Sequence, residues 1–104
     1  MISFPLDDLK PGTMRRMEAG ESVLLVARVG NEVFAIDDLC THEDASLSTG
    51  RLEQDRVKCP LHGSRFCLRT GVPLEEPADE PVRCYPVSVE SGIVSIALTP
   101  PEER

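Results

Sequence analysis

The chain of 104 residues offers few of the groups from which most active sites are built. Nothing in its order resembles a hydrolytic triad, a phosphate-cradling glycine loop or an iron site with a facial carboxylate. No side chain is therefore marked as a catalytic acid, base or nucleophile. No segment sustains a helical period, and nine prolines would interrupt one. Internal repeats and low-complexity tracts are absent. The opening residues, Met1 to Asp8, contain neither a basic stretch nor a long apolar run. Neither a signal peptide nor a membrane anchor is expected, and the chain should be soluble and cytoplasmic. Cations are the minority charge, with 11 Lys and Arg against 18 Asp and Glu and a net charge of -7. That balance argues against nucleic acid and points to basic docking surfaces on other proteins.

Against this background, Cys40-Thr41-His42 and Cys59-Pro60-Leu61-His62 stand out, because they place the chain's only two histidines beside two of its four cysteines. Sixteen residues separate His42 from Cys59. The two halves must sit on separate loops that meet in space. Two thiolates and two imidazoles make a metal site. Either half alone is common by chance, since a free cysteine most often packs as a small hydrophobe. Zinc accepts the same donors in a tetrahedral site, but zinc modules usually present C-x2-C or H-x3-H knuckles, and the one-residue spacing of Cys40 and His42 is awkward for one ion.

The double motif resembles the Rieske 2Fe-2S signature, in which two cysteines hold one iron and two histidines the other. The run Gly63 to Gly71 is similar to the stretch after the second ligand loop of Rieske-type ferredoxins in bacterial aromatic-ring-hydroxylating dioxygenase systems. This resemblance covers nearly the whole chain. It implies an all-β Rieske-like fold, an antiparallel β-sandwich base with a small inserted cluster-binding subdomain at about residues 38–71 of a single domain spanning 1–104. It also implies one 2Fe-2S cluster, with Cys40 and Cys59 on the inner iron and His42 and His62 on the outer one.

Two thiolates neutralise the +2 core of an oxidised cluster, and a neutral cluster accepts an electron more readily than an all-cysteine one. The implied activity is that of a one-electron carrier, not an enzyme. It would take electrons from an NAD(P)H-dependent flavin reductase and deliver them to a Rieske non-haem iron aromatic-ring-hydroxylating dioxygenase, in aromatic hydrocarbon catabolism. A cytoplasmic monomer is expected, with no membrane or nucleic-acid partner. The missing anchor argues against the membrane-bound respiratory branch. The small Rieske-like subunit of an assimilatory nitrite reductase is the alternative, weakened by the retention of all four ligands. A zinc-binding interaction module is a lesser one.

Departures from the respiratory pattern carry expectations of their own. Ala45 and Leu61 occupy the places of a loop-tying disulfide, and Phe66 stands where a tyrosine would donate to a ligand sulfur. Fewer donors stabilise the reduced state less, which places the potential in the lower part of the roughly -150 to +300 mV Rieske range. Ser64 is retained, facing either the cluster or solvent. Glu43, Asp44 and Leu61 are expected to rim the histidine edges. Cys67 and Cys84 fall outside the motif and read as reduced, partly buried thiols.

The rest of the chain reads as short strands between turn residues. Ser22 to Val29 and Glu32 to Asp37 form a hairpin around Gly30-Asn31. Further strands are expected at Arg51 to Gln54, Arg56 to Lys58, Phe66 to Leu68, Val82 to Val89 and Ile93 to Leu98, with Ser91-Gly92 turning the last pair.

Overall fold

Four residues in succession on one strand, Leu24 to Ala27, are fully buried, which requires a strand covered on both faces. The computed structural model, which describes residues 2–19, 22–39, 46–60, 64–74 and 81–98, shows how this arises. The central sheet consists of β2 (Thr13–Ala19), β3 (Ser22–Val29), β4 (Glu32–Asp37) and β8 (Cys84–Tyr85), in the order β2-β3-β4-β8. On one side lies a sheet of β1 (Ile2–Pro5), β10 (Ile93–Ile96) and β9 (Val87–Glu90), in the order β1-β10-β9. On the other lies a sheet of β5 (Arg51–Glu53), β6 (Arg56–Lys58) and β7 (Arg65–Cys67). Every pairing between these strands is antiparallel.

Side chains alternate across the central sheet and so feed two cores. Leu24 and Val26 of β3 pack with Phe4, Val94 and Ile96, while Leu25 and Ala27 pack with Leu47, Val57, Cys59 and Phe66. A fully buried Leu, Val or Phe contributes about 1.5–3 kcal/mol in removed apolar surface, so both outer sheets are held chiefly by such contacts.

The β3–β4 hairpin turns at Gly30 with φ +61, and the β9–β10 hairpin turns through Ser91 and Gly92 with φ +53 and +77, as turn residues predict. Other expectations need correction. Val82 to Val89 is not one strand: Pro86, which has no N–H to donate, separates β8 in the central sheet from β9 in an outer one. β7 begins one residue earlier than expected, at Arg65, and β10 ends at Ile96. β1, β2 and two single 3-10 turns, Leu6–Asp8 and Leu47–Thr49, have no counterpart among the expected elements. Among the described residues, no helix is long and apolar enough to cross a membrane.

Candidate metal centre

The two loops named by the motif are rooted in hairpins whose last hydrogen bonds are well defined. After β6, the antiparallel register continues by one pair: the Cys59 N–H donates to the Ser64 carbonyl at 2.7 Å. Inward and outward sides alternate along this strand, with Val57 in the core, Lys58 half-buried on the outer side and Cys59 again inside. The Cys59 side chain is 1% exposed. Ser64 is fully buried, which removes the solvent-facing alternative for that residue.

The first loop closes in a similar way. Leu39 bridges Ser46 across it, and the Leu47 N–H donates to the Asp38 carbonyl at 2.6 Å. The carboxylate of Asp38, only 3% exposed, stitches the closure further. It accepts the Ser48 N–H at 2.9 Å and the Ser46 hydroxyl, and the Arg16 guanidinium lies 3.5 Å away. No pattern in the sequence marked Asp38, because Asp37-Asp38 at a strand end reads as ordinary solvated charge.

Both roots then converge. Leu47 and Cys59 belong to one buried cluster with Val57 and Phe66. Gly50, following the Leu47–Thr49 turn, passes so close to β6 that a Cβ there would lie 1.9 Å from the Lys58 carbonyl oxygen. Only glycine permits that approach. The exit from the β5-β6-β7 sheet, the cluster sheet, is fixed at Gly71, whose φ is +78 and whose Cβ would lie 2.2 Å from the Val82 carbonyl oxygen.

The cluster sheet is also tied to β4 from its far end. Arg69 donates to both carboxylate oxygens of Glu32 at 3.1 and 2.5 Å, reaches Asp55 at 3.4 Å, and lies 5.0 Å from the centre of the Phe34 ring. Its hydrogen bond holds the Glu32 carboxyl below the usual carboxylate range. Arg65 does the same for Glu53 across a 2.8 Å bond.

Of the four expected ligands, Cys59 is described, whereas Cys40, His42 and His62 lie outside the described residues, as do Glu43, Asp44, Ala45, Leu61 and Gly63. A cluster ligand should be a thiol withdrawn from water on a strand end fixed by the backbone, and Cys59 meets this description. Phe66 is fully buried in the same apolar cluster. No disulfide joins Cys59, Cys67 and Cys84 to one another. Burial pushes the pKa of Cys67 up, but hydrogen bonds from the Thr70 side chain and from the Thr70 and Arg69 backbone outweigh it and leave the thiol below its usual range.

Comparison with known proteins agrees with this architecture. The sequence model of the Rieske [2Fe-2S] domain matches residues 2–86. The ferredoxin component of biphenyl 2,3-dioxygenase from Rhodococcus jostii (strain RHA1) is 46% identical over 91 residues, 88% of this chain and 85% of that one. The ferredoxin of carbazole 1,9a-dioxygenase from Nocardioides aromaticivorans IC177 superposes with a TM-score of 0.86 at 38% identity, covering 90% of this chain and 92% of the other. A ferredoxin solved in complex with the oxygenase of carbazole 1,9a-dioxygenase gives a TM-score of 0.85 at 41% identity, over 89% and 87% of the two chains. Its converging loop roots, its buried Cys59 and these likenesses place the chain in the Rieske [2Fe-2S] domain family, to which it belongs, with a Rieske-type 2Fe-2S cluster as its cofactor.

Proposed function

We propose that this chain is the ferredoxin component of an aromatic-ring-hydroxylating dioxygenase system, carrying one electron at a time from an NAD(P)H-dependent flavin reductase to a Rieske non-haem iron oxygenase. The bound cluster supplies a centre that gains and returns a single electron without bond rearrangement in the protein. Cys40 and Cys59 hold its inner iron and His42 and His62 its outer one. The protein works as a cytoplasmic monomer, and the oxygenase determines which aromatic compound is hydroxylated.

The observation that carries this reading is the junction of the two loop roots at the buried Cys59, in a chain that aligns over most of its length with dioxygenase ferredoxins. Rigid roots suit an electron carrier, because a centre that barely moves between oxidation states needs little reorganisation. Two clefts, of about 510 and 550 Å³, lie open on the surface.

The test is reconstitution from purified components. Visible and EPR spectra should show a Rieske centre, NAD(P)H plus flavin reductase should reduce it, and a ring-hydroxylating oxygenase should reoxidise it with product formation. Reoxidation by a sirohaem nitrite reductase instead would overturn the assignment.

A further inference from the structure

The outward face of the cluster sheet is cationic in an otherwise acidic protein. In register, Leu52, Val57 and Phe66 form the inward row, and Arg51, Lys58 and Arg65 form a row on the opposite face. A second outward row holds Glu53, Arg56 and Cys67. Residues 51–69 carry five Arg or Lys against Glu53 and Asp55, a net of +3 within a chain of net -7.

The two carboxylates of that segment are already engaged. Glu53 pairs with Arg65 at 2.8 Å, and Asp55 lies 3.4 Å from Arg69 and 3.9 Å from Arg56. Arg51 and Lys58 face each other directly across the β5–β6 pair. Neither makes an ion pair within 4.0 Å of a carboxylate among the described residues. Like charges directly opposite one another destabilise a sheet, so this pair works against the fold rather than for it. Both line an open cleft of about 510 Å³ that also includes Thr49, Gly50, Cys59 and Pro60. Both cations favour the charged form of Glu53 through space, but the nearest partner of that carboxylate is Arg65, and the pair adjoins a cysteine proposed for the cluster.

We propose that the Arg51–Lys58 face docks an acidic surface on the electron donor, the flavin reductase, with partner carboxylates seated in the cleft beside Cys59. This rests on the electron-carrier reading above. The choice of donor over acceptor follows from charge. The reductase's reduced flavin gives up one electron and the ferredoxin gains it, so the ferredoxin becomes more negative by one charge while no covalent bond forms or breaks. That added charge weakens its hold on an acidic partner and strengthens its hold on a basic one. An acidic donor therefore binds the oxidised form more tightly and releases the reduced form, the order that turnover needs. The remaining residues, net negative, turn this face toward an acidic donor during approach.

The experiment uses the holo-ferredoxin with the flavin reductase and oxygenase of its own system. Variants Arg51→Gln/Lys58→Gln and Arg51→Glu/Lys58→Glu are compared with wild type by stopped-flow reduction and reoxidation at low and high salt. Charge reversal should slow reduction by the reductase about tenfold at low salt, at the lower end of electrostatic steering. The difference should vanish at high salt, and transfer to the oxygenase should not slow. Reductase binding should favour the oxidised protein in the wild type, and the variants should bind the reductase more weakly in both redox states. Equal reduction rates in all three proteins, or a slowing confined to the oxygenase step, would overturn the docking surface. Should charge reversal cost the cluster, the Gln pair decides: a flatter salt dependence of reduction supports the proposal, and an unchanged one refutes it. Failure of the wild type to accept electrons from the reductase would instead sink the underlying function, and the docking surface with it.

Discussion

The buried carboxylate of Asp38 accepts the backbone N–H of Ser48 at 2.9 Å, joining two residues ten apart in sequence across the base of the first ligand loop. With the Leu39–Ser46 bridge and the Leu47 N–H to Asp38 carbonyl bond, it makes that base a closed ring. Removing the carboxylate leaves a backbone donor and the Ser46 hydroxyl without their acceptor. Asp38→Ala should cost roughly 1–3 kcal/mol of holoprotein stability, the usual penalty for buried groups left unmatched. Asp38→Asn, which keeps one acceptor oxygen, should lose less. Denaturant midpoints with cluster absorbance as the signal measure both. Indistinguishable midpoints for Ala and wild type would show that the ring does not hold the loop.

Gly50→Ala introduces a Cβ at 1.9 Å from a backbone carbonyl, which only main-chain movement can relieve. Overpacking of this kind costs roughly 1–3 kcal/mol. Because the displaced partner is Lys58, next to Cys59, the visible spectrum should alter along with the stability. Thermal melts and absorbance of the same sample address both effects.

Acid should loosen the tie between the cluster sheet and β4. The Glu32 carboxyl is held below its unfolded value, mainly by its hydrogen bond to Arg69. The stabilisation it provides is complete above the unfolded pKa and is lost as pH falls through the lower folded one. Arg69→Gln should therefore lower stability at neutral pH and flatten its acid limb. Arg69→Lys should restore only part, since an ammonium cannot fork to both Glu32 oxygens or stack as well on Phe34. Unfolding midpoints from neutral pH into the acid range would reveal whether the wild-type and Gln curves converge as expected.

His42→Ala or His62→Ala should abolish the Rieske spectrum, because each removes one of the two protein ligands proposed for the outer iron. Iron content and the EPR signal of the reduced protein are the readouts. An unchanged signal in either variant would remove that histidine from the site.

The midpoint potential should lie low within the Rieske span of roughly -150 to +300 mV and vary little with pH near neutrality. Phe66 is fully buried in the cluster of residues that contains Cys59, so Phe66→Tyr places its hydroxyl in that same environment. A new donor to a ligand sulfur would raise the potential. Voltammetry of both proteins checks the sign, and a steep neutral-pH slope in the wild type would contradict the expectation.

The amino-acid sequence by itself determined the all-β class, and it is also where the proposed donor set was read. The spacing of Cys40, His42, Cys59 and His62 is a local code, and β3 and β4 announce themselves through apolar runs flanking Gly30-Asn31. What could not be read there depended on partners distant in the chain. The polar strand β2, Thr-Met-Arg-Arg-Met-Glu-Ala, exists because it pairs along β3 and sets Met14 and Met17 against the two cores. Pro86 lies between consecutive β residues, and only the packing of two different sheets makes it a break. The glycine at position 50 and the acid at 38 look ordinary until Lys58 and Ser48 are brought against them. Likewise, the cations at 51 and 58 are scattered charges in the chain and become one face only through antiparallel register. The proposed donor set is written in short-range spacing, whereas the geometry that roots its two loops arises from close approach between segments that only the folded chain juxtaposes.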